Sequence, residues 1–282
     1  MARRPDAAEE AGYQREPFEA GGIRHFVWRG GEGPTVLLLH EMPSISWRTI
    51  ALANLIRDRG YRVAMPGFVD AVRARPETAA DKATMSIGFA RNAVALCVSW
   101  QFTVLTRKRT APIASWLQAL ARHEQAASGH PLVGVIGMCF SGGFALATAI
   151  DPSVGLAVAS QPALPFAMAP FDRIRGQAAD PGLSPADLDR LVSRGEDVCV
   201  RAYRYSNDKI APLQRIETLV DRLGPAITFI PIELGPDDPH AHSVLTDAAT
   251  VEGDGTTPAH KARKALDDLL AVLDERLKPA RG

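Results

Sequence analysis

Residues 133–149, VGVIGMCFSGGFALATA, run an apolar segment into a bend of small residues and out into a helical pattern, with a thiol, Cys139, at the apex of the bend. A G-x-nucleophile-x-small arrangement lets the backbone turn sharply enough between a strand and a helix to expose the nucleophile above a sheet. Gly137, Cys139, Ser141 and Gly142 supply that arrangement. A thiolate held there meets the helix dipole and unpaired backbone N–H groups, which raise its reactivity. Two other readings use the same residues: Cys139 as a small buried hydrophobe, and Ser141 as the nucleophile, since CFSGG also brackets a serine with small residues. The apolar run ends at Gly137, which puts residue 139 at the apex and residue 141 inside the first helical turn, and favours the cysteine. The segment matches neither phosphate-loop pattern, G-x-G-x-x-G or G-x-x-x-x-G-K-[ST]. In DDPHAH, residues 237–242, His240 and His242 fall on one face of an extended segment, but no third remote ligand accompanies them, so no metal is expected.

The elements around the bend alternate. HFVWRG (25–30) and TVLLLH (35–40) read as strands, the second a continuous apolar run suited to a sheet centre. A helix follows with Leu52, Leu55 and Ile56 at helical spacing and a stop at Gly60, then a strand at 61–67, which together predict a right-handed parallel crossover. A longer excursion over 68–112 leads to a helix in IASWLQALARHE, the strand 132–137, a helix from about 141 and a strand at 155–160. Beyond a Pro-rich stretch come a helix at 184–194, a strand at 198–206, a helix at 212–223, a strand in AITFIPIEL, and a closing helix with Leu266, Leu269, Leu270, Leu273 and Leu277 on one stripe. A predominantly parallel sheet flanked by helices is implied.

Three stretches resemble the dienelactone hydrolase family of α/β-hydrolases: LLLHEMPS (37–44), GMCFSGG (137–143), and SNDKIAP (206–212) taken with HSVLT (242–246). The likeness spans roughly residues 25–275, with Ser141 in place of a glycine in the family's G-x-C-x-G-G bend. It implies an α/β-hydrolase fold; chain size suggests one domain over 21–282, and the mixed charges and lack of an apolar core at the N-terminus read as a flexible tail at 1–20. The likeness further implies Cys139 as nucleophile, Asp208 as the acid and His242 as the base. The chain order nucleophile, acid, histidine is the one this fold needs to bring three loops to one sheet edge. Glu41 matches a glutamate that contacts the resting thiol and disfavours its ionisation by like charge. The backbone N–H groups of Met42 and Phe140 match the oxyanion donors. Read alone, Asp208 could instead cap a turn and Glu41 could be a solvated loop acid. In the basic cluster Arg107, Lys108 and Arg109, a solvated helix end is the simple reading, and Arg109 receiving a substrate carboxylate is the functional one.

The chemistry these residues imply is hydrolysis of a small ester, lactone or thioester through an acyl group on Cys139, without a cofactor. The rival is a non-catalytic small-molecule binder on the same fold; redox sensing is weakened because no resolving cysteine lies near in sequence. Composition is consistent with this. The 282 residues are 46% hydrophobic, enough for one substantial core. Lys plus Arg equals Asp plus Glu at 32 each, so no overall field favours nucleic acid or an anionic membrane. Cysteines at 97, 139 and 199 do not form a disulfide framework and fit a reducing cytoplasm. The longest apolar run, AVALCVSW, is far short of the ~20 residues that span a bilayer.

Overall fold

The computed structural model describes residues 5–42, 44–69, 72–73, 75–76, 99, 101–102, 110–163 and 178–278. Arg107, Lys108 and Arg109, and with them the expected carboxylate site, lie outside the described residues.

The strands are β1 (Gln14–Ala20), β2 (Ile23–Gly30), β3 (Thr35–Leu39), β4 (Ile45–Ser46), β5 (Arg62–Pro66), β6 (Val72–Arg73), β7 (Val133–Met138), β8 (Val154–Ser160), β9 (Cys199–Tyr205) and β10 (Ile227–Ile232). Eight of them form one sheet in the order β1-β2-β5-β3-β7-β8-β9-β10, with β4 and β6 paired separately. Strand β2 runs antiparallel to β1 and β5, and the remaining neighbours are parallel. The helices are α1 (Ala7–Glu10), α2 (Trp47–Asp58), α3 (Ile113–Ser128), α4 (Gly142–Thr148), α5 (Pro185–Ser193), α6 (Leu213–Leu223), α7 (Val244–Thr250), α8 (Pro258–Lys261) and α9 (Arg263–Leu277).

Strand β3 is buried at every position, and its side chains divide between the two faces: Leu37 and Leu39 join a core that includes Trp116, Leu117 and Leu120 of α3, whereas Val36 and Leu38 join one that includes Leu52 and Ile56 of α2 and Leu269 and Leu273 of α9. Two buried faces explain why the strand reads as a continuous apolar run. Each buried leucine contributes about 1.5–3 kcal/mol of transfer free energy. On α2 the buried stripe is Thr49, Leu52, Ala53 and Ile56; Leu55, expected to share it, is exposed, one step round the helix. No described helix is long and apolar enough to cross a membrane.

The tail expected over residues 1–20 is corrected from residue 6 onward. Asp6 caps α1 by accepting from the Ala8 and Glu9 backbone N–H groups, Glu9 accepts from the Asp6 N–H, and the Trp28 indole donates to Asp6 at 3.1 Å. Strand β1 pairs along its whole length with β2, from Gln14 opposite Arg29 to Ala20 opposite Ile23. As an edge strand β1 keeps mostly polar, solvent-facing side chains, so its composition resembles that of a tail although its backbone is paired.

Candidate active site

Register places the ends of the parallel strands together. Leu39 pairs with Gly137, Met138 with Ser160, Ser160 with Tyr203, and Tyr205 with Ile232, so the loops that leave β3, β7, β8, β9 and β10 emerge from one edge of the sheet. This carboxyl edge is where α/β folds build sites.

The bend after β7 is tight. Cys139 has φ 56°, in the left-handed region that a residue with a side chain occupies only when its surroundings enforce it. A Cβ on Gly137 would sit 2.3 Å from the Ser141 carbonyl oxygen, so glycine is required two residues before the thiol. Ser141 is fully buried. Its hydroxyl lies 2.9 Å from the Met138 carbonyl and 3.1 Å from the Leu39 carbonyl, and accepts from the Met138 N–H at 2.9 Å. Ser141 therefore ties the bend to β3 and is not available as a nucleophile, whereas Cys139 is partly exposed. Ser141→Ala is expected to cost about 1–3 kcal/mol by leaving the Met138 N–H without its acceptor. A urea titration measures this, and an unchanged midpoint would contradict the assigned role.

Asp208 is buried beyond β9. Its Oδ1 accepts from the N–H groups of Ile210 (2.7 Å) and Ala211 (3.1 Å), the turn cap considered from sequence, while Oδ2 accepts from His242 Nδ1 at 2.8 Å. One carboxylate thus performs both candidate roles. Its loop is held by Arg204, a buried guanidinium that donates to the carbonyls of Asp208 (2.7 Å), Ala211 (2.7 Å), Tyr205 (2.8 Å) and Ser206 (3.2 Å).

The Nδ1–H bond to Asp208 leaves Nε2 of His242 as the basic nitrogen. This atom is buried and, among the described residues, has no hydrogen-bond partner. Burial works against a charge on the ring, yet Asp208 and then the Cys139 sulfur outweigh it and push the histidine up to about 10. Asp208 and His242 are thus joined by a hydrogen bond, whereas His242 and Cys139 form none among the described residues. His240, the other histidine of the pair, is hydrogen-bonded to the Asn207 carbonyl at 3.1 Å. Among the described residues no cluster of three or more His, Cys, Asp or Glu side chains could hold a metal ion. A cleft of about 450 Å³ opens against His242; Arg48, Ser243 and Asp247 also line it, and Cys139 does not.

Glu41 departs from expectation. Its carboxylate is buried and bonded to Ser243, Thr246 and Gln161, and among the described residues it makes no hydrogen bond to Cys139. Met42 follows it, half-buried against the core. The peptide joining them is held by His40, whose Nδ1–H donates to the Glu41 carbonyl at 2.8 Å while Nε2 accepts from the Phe68 N–H at 3.2 Å. Burial, opposed by that carbonyl bond, lowers His40 to about 4 and keeps it neutral. In a planar trans peptide the N–H opposes the C=O, so fixing the Glu41 carbonyl also fixes the Met42 N–H. Phe140, the residue after the thiol, packs against His40, Phe68 and Phe144 with ring centroids 5.8–5.9 Å apart.

Sequence reasoning missed three supporting residues. His40 and Gln161 each stand directly beyond a buried strand, a position that could have marked them. Arg204 is a charge within the otherwise apolar end of β9, where only a specific set of acceptors would tolerate it.

Among solved structures the chain is similar to a cold-adapted esterase from an Arctic intertidal metagenomic library, at 16% identity over 94% of each chain with a TM-score of 0.55. It is also similar to a dienelactone hydrolase-like promiscuous phosphotriesterase from metagenomic libraries, at 12% identity over 93% of this chain and 98% of that one, TM-score 0.53. A thioesterase domain from the curacin biosynthetic pathway matches at 12% identity over 92% and 99%, TM-score 0.53. No family model and no curated protein matches the chain. These likenesses define the architecture: this is the α/β-hydrolase fold.

Proposed function

We propose that this chain is a cysteine hydrolase of small esters or lactones. The observation that supports the reading is the Asp208–His242 hydrogen bond, with Cys139 at a strained apex and its sulfur among the groups that raise the ring's basicity. In the proposed reaction His242 Nε2 takes the thiol proton and the sulfur attacks the carbonyl carbon. The Met42 and Phe140 N–H groups hold the resulting oxyanion. As the tetrahedral adduct collapses, His242 returns the proton to the leaving alkoxide, and an S-acyl group remains on Cys139. His242 then removes a proton from water, the hydroxide adds to the thioester carbonyl, and the thiolate leaves with the acid as product.

A thiolate leaves a tetrahedral adduct more readily than an amine does, so amides revert where esters go forward. Steady-state assays on a panel of alkyl esters, enol-lactones, thioesters and matched amides test the proposal. The expected result is kcat/KM for lactones and esters about a hundredfold or more above the amides. Tight binding of panel members with no turnover would instead support the binder reading.

A further inference from the structure

The carboxylate of Glu41 is a junction. Oε1 accepts from Thr246 Oγ1 at 2.7 Å, and Oε2 accepts from Ser243 Oγ at 2.9 Å and Gln161 Nε2 at 3.3 Å. Ser243 and Thr246 belong to the start of α7, immediately beyond His242. Gln161, fully buried just beyond β8, has φ 35°, and among the described residues it shares a left-handed non-glycine backbone with Cys139. Its backbone N–H donates to the Tyr203 carbonyl at 2.6 Å. Its Oε1 accepts from the Val244 N–H at 3.3 Å and from the Ser160 hydroxyl. Every donor to Glu41 is neutral, and together they come from two of the loops that meet at the site.

We propose that Glu41 and Gln161 are a positioning pair that locks the loop carrying the Met42 N–H to the loop carrying His242, so that Glu41 acts through geometry rather than through its charge on the thiol. This rests on the hydrolase reading above. The residue types fit the task. A carboxylate has enough lone pairs to accept three donors from different directions, and a glutamine amide donates to Glu41 while accepting from Val244. A left-handed backbone at Gln161 persists only where its surroundings over-determine it, and this set of bonds does so.

The test compares Glu41→Gln with Glu41→Ala. An amide of the same shape can keep the junction, because the Ser243 and Thr246 hydroxyls can accept as well as donate. The two readouts are kcat and KM on an activated ester and the rate of Cys139 alkylation by iodoacetamide. Glu41→Ala is expected to lower kcat about a hundredfold with KM within about threefold, because the donors and the base lose their relative placement. It should also slow alkylation. Glu41→Gln is expected to rescue most of both losses. Should Glu41→Ala fail to fold, Thr246→Val, which removes a single donor, is combined with Glu41→Gln; the two effects are expected to be non-additive. Two results overturn the proposal: Glu41→Gln as impaired as Glu41→Ala, or Glu41→Gln alkylating tenfold faster than wild type, the mark of a carboxylate acting by charge. If the wild type turns over no ester, the hydrolase reading fails by itself, and the alkylation rates still decide between brace and charge.

Discussion

Cys139→Ala lowers kcat/KM for an activated aryl ester by about 10⁴-fold or more, the scale on which nucleophile removal acts when nucleophile and base work as a unit. The loss is expected to come from chemistry and not from unfolding, because Cys139 is only partly buried. A second substitution separates the two effects. The residue stands at φ 56°, a conformation that glycine adopts without a steric cost. Cys139→Gly is therefore expected to be inactive yet as stable as wild type or more so, by about 1 kcal/mol from released backbone strain. Urea midpoints read alongside initial rates check both parts. A glycine variant that is clearly destabilised would mean that the sulfur is a packing residue.

Asp208→Asn is expected to lower kcat about 10²–10⁴-fold, since an amide facing Nδ1 favours the wrong ring tautomer. Its pH dependence is more specific. Burial opposes the His242 charge, and Asp208 is foremost among the groups that overcome it, giving a value of about 10. Alkyl esters need a proton from the imidazolium as the alkoxide leaves, so the wild-type alkaline limb of kcat/KM should fall near pH 10. Removing Asp208 leaves burial less opposed and moves that limb down by about one pH unit or more. Stability follows the same linkage. The folded value lies above the unfolded value of about 6.5, so the contribution is complete below that pH and is lost as pH rises toward the folded value. Denaturant midpoints at several pH values between these limits should decline in wild type, and the decline should be displaced to lower pH in Asp208→Asn. An unmoved alkaline limb would mean that Asp208 only caps its turn.

Much of this site was legible in the sequence because its chemistry depends on local backbone. The bend at Cys139 follows from the small residues at 137, 141 and 142, and the strand before it from its apolar run. The Asp208–His242 bond crosses 34 positions of sequence, yet the order of the strands brings its ends together. The edge strand β1 was not legible, because a strand paired on one side keeps a polar composition. The partners of Glu41 were not legible either. They depend on which way a buried carboxylate turns, and that is settled by hydroxyls on α7, 202 and 205 positions away, and by a left-handed glutamine that no local pattern announces. Arg204 is the converse case. In sequence its charge reads as strand content, and the four backbone carbonyls that accept from it belong to residues 205–211 of its own chain segment.

The central claim is that the sulfur at position 139 attacks a carbonyl with His242 as its base. Intact-protein mass spectrometry of a rapidly quenched reaction with an activated aryl ester, followed by peptide mapping, tests it most directly. One acyl group per chain is expected, on Cys139, formed within the burst in wild type and much more slowly when His242 is replaced by Ala. Acylation at Ser141, or turnover with no adduct on the cysteine under any quench, would contradict it.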